Sequence, residues 1–244
     1  MYIVTDVLAC SPPPNDPERS MSLTTAPSST PRRGFLGSMI AGAGALLVSR
    51  WSEADAQAVS LAATAAPSDE WIAKIKGKYK QVFDVTGANN TFGGAYPLNF
   101  LNSTKEATKT TDANMTAVNV FRHFAMPMTL NDAVWAKYRL GEIVDVKDPK
   151  TNAPALRNIF HENIPLYPGM TLAKTMSERG VIVVACNLAL TVISGMAASK
   201  ADVTPEQAKK DFVAGLIPGV NLAASGVYAV NRAQQAGCTY CFAG

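Results

Sequence analysis

The sequence is poor in the residues on which much enzyme chemistry depends. It holds two histidines and four cysteines in 244 residues, far below the cysteine density of a disulfide-stapled scaffold, though enough for one redox or metal site. Charge of one sign is also scarce. Twenty-two Lys and Arg against 19 Asp and Glu leave a net charge of +3, too balanced for the counterion release on which nucleic-acid binding relies. Glycines at Gly87, Gly93 and Gly94 form neither a dinucleotide fingerprint nor a P-loop, and turn glycines account for them. What is abundant is apolar: 48% of the chain is hydrophobic and 17% charged, so it is neither a charged tail nor disordered. One compact domain with an extension is expected.

The extension covers residues 1–58 and resembles a twin-arginine export signal. Arg32 and Arg33 are followed by Phe35 and Leu36, then by an apolar stretch over residues 36–48 that falls short of the ~20 residues needed to span a bilayer. Ala56-Gln57-Ala58 supplies a small-x-small cleavage pattern. Pro31 and Gly37 depart from the usual motif, and Met21 offers an alternative start. The competing account is an uncleaved amphipathic anchor, with Arg50 and Trp51 just past the apolar stretch. The resemblance implies a passage through the twin-arginine translocase in folded form, a periplasmic location and no stable membrane insertion after cleavage. Residues 59–80 read as an Ala/Ser/Thr-rich linker and a short helix, capped by Asp69 and running to Lys78, whose lysines at 74, 76, 78 and 80 face water.

From residue 81 to 244 strands and helices alternate. Strands are expected at residues 81–86, at 116–121, where β-branched and aromatic residues dominate, at 181–185 and at 220–224. Helices are expected at about 97–110, at 130–140 closed by Gly141, at 171–179 closed by Gly180, and at 188–198, which is apolar nearly all round and therefore buried. Two more follow: one after Thr204-Pro205-Glu206-Gln207, a threonine cap with proline in the first turn and a glutamine placed to complete a capping box, and one over 226–236 capped by Ser225. The unbroken apolar run at 181–185 makes it the central-strand candidate. Residues 142–169, with four prolines, form a long excursion of the kind that serves as lid, insertion or oligomer contact. Together the alternation predicts an α/β domain: a three-layer open parallel sheet with helices on both faces and flavodoxin-like topology.

In such a sheet ligands sit beyond the carboxyl ends of the strands. The residues leaving the strands are Asn89 and Asn90, Arg122 and His123, Cys186 and Asn187, and Ser225. Cys186 is the sharpest candidate, because it follows five apolar strand residues and precedes a helix, where free backbone N–H groups and the helix dipole favour thiolate. The competing account is a small hydrophobe packed at a strand end. His123 is placed for proton transfer or thiolate stabilisation, while His161, in the excursion, is expected to be exposed; their spacing makes no metal site.

Gly180-Val181-Ile182-Val183-Val184-Ala185-Cys186-Asn187, then Pro218-Gly219-Val220 and Ser225-Gly226-Val227 with Arg232, Gln234, Gly237 and Tyr240, resemble the second half of the DsrE/DsrF-like family. The resemblance covers the last quarter to half of the chain. It implies a small three-layer α/β fold, oligomerisation and, as in the best understood branches, persulfide sulfur carried on the cysteine that Cys186 matches. A sulfur donor and an acceptor thiol are the implied partners; no cofactor is.

Cys238-Thr239-Tyr240-Cys241 is the second cysteine feature. It lacks the histidine of a c-type haem site, and no second such pair exists to complete a zinc or iron–sulfur site. Lying at the chain end behind Gly237, it does not open a helix as a thioredoxin motif does. A disulfide between the two, or of either with Cys186, is expected in an oxidising compartment, against two unpaired cysteines on a last strand. Two function classes follow. One is sulfur transfer or thiol redox chemistry at Cys186, with Cys238 or Cys241 resolving; the other is a non-catalytic exported binding or assembly protein with structural cysteines. Apolar surface on the 188–198 helix and the excursion predicts a homo-oligomer in either case.

Overall fold

The computed structural model describes residues 67–244 except Asn163, and of Asn89, Asn90 and Thr91 the backbone alone. The proposed signal, its cleavage point and the first part of the linker lie outside the described residues. Five strands, β1 (Tyr79–Val85), β2 (Met115–Phe121), β3 (Ile182–Cys186), β4 (Asn221–Ala223) and β5 (Thr239–Phe242), form one all-parallel sheet in the order β4-β3-β2-β1-β5. Among the described residues seven α-helices accompany them: α1 (Ala95–Thr108), α2 (Asp132–Tyr138), α3 (Leu140–Ile143), α4 (Leu172–Arg179), α5 (Asn187–Ala197), α6 (Pro205–Ala214) and α7 (Gly226–Gln235). The three-layer α/β architecture expected from the alternation is the one the chain forms.

The order of the strands decides which face each helix covers. Steps from β1 to β4 all run in one direction, so right-handed crossovers put their helices on one face. That face holds the larger core, with Leu101, Trp135, Tyr138, Leu190 and Phe212 buried against Phe83, Phe121 and Val183. The return from β4 to β5 reverses direction and carries α7 to the other face. There Ala229 and Ala233 pack on Val82, Val118, Val120 and Val184, joined by Trp71. All seven β2 residues are buried, and β2 rather than β3 is the middle strand; β3 is interior but lies beside the edge strand β4.

Several local expectations change. The 69–78 helix is a single 3₁₀ segment, Glu70–Lys74, and Asp69 does not cap it; its carboxylate instead accepts from the Tyr228 hydroxyl at 2.5 Å. Of the four lysines thought to face water, Lys80 is half-buried and donates to the Ala236 carbonyl at 2.9 Å. Arg139, with φ +50°, ends α2 in place of Gly141. Gly141 sits two residues later, inside α3, where a Cβ would fall 2.3 Å from the Ala155 nitrogen, so its small size admits the incoming chain. Thr204 caps α6 by accepting from the Gln207 N–H, but the Gln207 side chain bonds Asp211 and leaves the capping box half made. α5 is not buried all round: Ala189, Leu190, Ile193 and Ala197 face the core while Leu188, Val192 and Met196 form an exposed apolar stripe.

The 142–169 excursion is held to the body. Asn158 is its anchor, with its amide donating to the carbonyls of Met128 at 3.0 Å and Leu130 at 2.6 Å, its N–H donating to Asp132, and Phe160 buried beside Trp135. His161 is drawn into this contact and is half-buried rather than exposed; its Nε2 lies 2.9 Å from the Asn158 amide nitrogen, and burial pushes its pKa below the usual histidine value.

Candidate functional site

At the carboxyl ends of the strands, polar residues line up in the order of the sheet itself. Cys186 ends β3, Arg122 follows β2, Asp84 is the penultimate residue of β1, and Tyr240 lies on β5. Arg122 Nε donates to Asp84 Oδ1 at 2.6 Å and its Nη2 to Oδ2 at 2.9 Å, a bidentate pair, and the Tyr240 hydroxyl donates to Oδ2 at 3.0 Å. The Asp84 side chain is only 4% exposed and that of Arg122 19%, so this pair is shielded from water, where charge-assisted bonds are strongest. Asp84 and its own charge hold the Arg122 pKa above its ordinary value, against desolvation, with smaller contributions from Tyr240 and Cys186. Burial first, then the bond to Asp84, raises the Tyr240 phenol, which stays a donor.

Cys186 is 5% exposed. Its Sγ caps α5, accepting from the Ala189 N–H at 3.2 Å. The register pairs Phe121 with Ala185, so Arg122 and Cys186 are neighbours one residue further on. Arg122 reaches this place by passing close over Gly226: a Cβ there would lie 2.5 Å from Arg122 Cβ and 2.9 Å from its Cδ. The Ser-Gly-Val turn is thereby explained, with Ser225 capping α7 through the Tyr228 N–H at 3.1 Å and Gly226 leaving room for the arginine.

The other candidate residues fare differently. His123 is exposed, with φ +47°, and its Nδ1 accepts from Arg122 Nη1 at 3.2 Å, so its bond is to the arginine and not to the cysteine. Asn187 is buried in the first turn of α5, where its carbonyl accepts from the Thr191 hydroxyl. Asn89 and Asn90 begin a 3₁₀ turn after β1, and their side chains lie outside the described residues. Asp84 and Tyr240 were not among the expected site residues. The signal for Asp84 was present, since a carboxylate between Phe83 and Val85 in a buried strand requires a partner.

Cys238 and Cys241 do not join the site. All three described cysteines are free thiols. Two strands separate β3 from β5, which at ~4.8 Å per step sets Cys186 about 14 Å sideways from β5, and the register puts Cys241 and Cys238 further back along the strand, so both are more than ~14 Å away, too far for a disulfide or for direct resolution within one chain. Cys238 lies just before β5 and Cys241 within it, on opposite faces of the sheet: Cys238 packs with the α7-side core and Cys241 against the other. Burial pushes the Cys238 thiol up to about 11 and also raises Cys241, the reverse of what a resolving thiol needs.

Around the polar row, the segment leaving each strand exposes an apolar side chain: Phe92 after β1, Phe124 after β2, Leu188 after β3, Val227 after β4, and Phe242 at the end of β5. A shallow depression lined by Lys74, Met176, Gly180, Pro218 and Asn221 lies at the opposite, amino end of the sheet. Among the described residues no group of three His, Cys, Asp or Glu could hold a metal, and no helix is long and apolar enough to cross a membrane. Compared with family profiles, curated proteins and solved structures, the chain matches none.

Proposed function

We propose that the chain is an exported DsrE/DsrF-like protein whose Cys186 accepts and passes on sulfane sulfur. The observation that carries this reading is the position of Cys186 at the end of an interior strand, its sulfur held by the Ala189 N–H and flanked by Arg122, which Asp84 fixes in place. The step is a thiolate substitution: Cys186 Sγ attacks the outer sulfur of a donor, an S–S bond forms to the enzyme, the donor's S–S bond breaks, and the donor leaves as thiolate or, from thiosulfate, as sulfite. No external oxidant is needed. Discharge transfers that outer sulfur to an acceptor thiol and regenerates the Cys186 thiolate. Within one chain Cys238 and Cys241 are not the acceptor, so a separate molecule is.

Incubating the fully reduced protein with thiosulfate or polysulfide should add the mass of one sulfur atom per chain, and Cys186→Ser should abolish the adduct. Absence of sulfur uptake, or loading of Cys186→Ser equal to wild type, overturns the reading. The second class, a non-catalytic assembly protein, is favoured by the burial of Cys186 and the exposed apolar side chains at all five strand ends, and it is the better account in that event.

A further inference from the structure

We propose that the open edge of β5 pairs antiparallel with β5 of a second copy, in the register that sets Cys241 opposite its counterpart. Among the described residues β5 is the last strand of the sheet and pairs with β1 alone. The direction of its backbone follows from one bond: the Ala243 N–H donates to the Asp84 carbonyl on the β1 side. By the two-residue period of a strand, Thr239 and Cys241 also turn their backbone groups toward β1, and Tyr240 and Phe242 turn theirs toward the open edge. The Phe242 carbonyl there accepts only the Cys241 thiol at 3.5 Å, a weak donor, among the described residues.

Edges of this kind are normally blunted by lysine, proline or a bulge. This one carries Thr, Tyr, Cys and Phe, with Tyr240 46% and Phe242 58% exposed, so two copies meet with no like charges opposed. A two-fold axis through Cys241 is the register that satisfies both outward residues at once. Tyr240 then faces Phe242 of the second copy in a hydrogen-bonded pair, and the symmetric pair forms beyond it, giving about four backbone bonds and two aromatic cross-strand contacts. Cys241 falls in the non-hydrogen-bonded position between them, where Cα atoms approach to ~4.5 Å, within disulfide range. Shifting the axis to Tyr240 would call on Cys238, whose N–H already donates to the Ala233 carbonyl at 3.0 Å. The occupant is therefore a second copy of this chain, and the result is a ten-stranded sheet with the two polar rows end to end. This inference does not depend on sulfur chemistry at Cys186.

Oxidised glutathione tests it on the full-length chain. One Cys241 thiolate displaces a glutathione thiolate, the second Cys241 displaces the other, and the S–S bond formed across the axis replaces the one broken in the reagent. Peptide mapping should find a Cys241–Cys241 link, retained in Cys238→Ser and Cys186→Ser. Light scattering at micromolar concentration should give a dimer for wild type and for Cys241→Ser, and a dissociation constant at least tenfold higher for Phe242→Lys, which faces solvent in the single chain. A monomeric wild type, an intermolecular link through another cysteine in place of Cys241, or a Phe242→Lys dimer as tight as wild type overturns the proposal. Amide exchange gives an independent reading on the unmutated protein: slow Tyr240 and Phe242 amides support pairing, and exchange at exposed-strand rates refutes it.

Discussion

Replacing Asp84 by Asn keeps the volume of the side chain and removes its charge. The Arg122 guanidinium, 19% exposed, then loses its counter-ion, and one of its N–H groups faces an amide donor. Breaking a buried pair by removing one partner costs about 3–5 kcal/mol; the residual exposure of Arg122 points to the lower end, about 3 kcal/mol. For a domain of this size each kcal/mol corresponds to roughly 2–4 °C, so the melting temperature should fall by about 6–12 °C. Arg122→Met strands the carboxylate instead, at a similar cost, softened by the Tyr240 hydroxyl that still donates to it. The double variant removes both charges and should cost much less than the sum, with a coupling of about 2–3 kcal/mol. Urea unfolding followed by circular dichroism on all four proteins closes the cycle, with the slope m unchanged. Additivity within about 0.5 kcal/mol would show that water screens this pair as it does a surface one, and the account of the polar row would fall.

Gly226→Ala should destabilise nearly as much as Asp84→Asn, because Arg122 Cβ is tied to the backbone and cannot swing away from a contact of 2.5 Å; Gly195→Ala, with nothing within 4 Å in α5, should stabilise by up to about 1 kcal/mol, and equal melting shifts for the two would contradict the packing. His161 is kept neutral by burial, which lowers its pKa, so the unfolded chain takes up a proton there first. Stability from this group is complete above about pH 6.5 and declines as pH falls below it; urea midpoints at about pH 7.5 and 5.5 should drop further for wild type than for His161→Gln, and parallel drops would refute the anchor's role. Changing Arg32 and Arg33 to Lys should leave full-length protein in the cytoplasm, and continued processing would point to the general secretory route.

The parts of the fold legible in the sequence are those written locally. Strand limits follow from β-branched runs at 116–121 and 181–185, and the caps at Thr204 and Ser225 each accept the expected N–H. What misled were features decided at long range. Asp69 reads as a cap until Tyr228, 159 residues away, takes its carboxylate. An apolar helix reads as buried all round until the two-sided sheet leaves one of its faces without a layer above it. The middle position of β2 is invisible locally, since β2 carries Thr116 and Asn119 while β3 is the more apolar run; only the order of pairing puts β2 in the centre.

The same distinction explains the site. Cys186 is visible because strand, thiol and helix are adjacent in the chain, whereas Asp84 and Arg122 are 38 residues apart and Asp84 and Tyr240 are 156 apart. Sheet order converts these separations into a row, Tyr240 to Asp84 to Arg122 to Cys186, one residue on or just past each of four neighbouring strands. The row has a direction: its tyrosine end lies on the open edge strand and its cysteine end in the interior. Asp84 occupies Nε and Nη2 of the arginine and His123 accepts from Nη1, so the guanidinium is held in place on three of its nitrogens. A lysine at 122 would keep the charge but lose the fork that Asp84 holds in two places. If Cys186 carries sulfur as proposed, Arg122→Lys should retain most of the stability while slowing sulfur uptake at Cys186, a separation that a purely structural role for the pair does not allow.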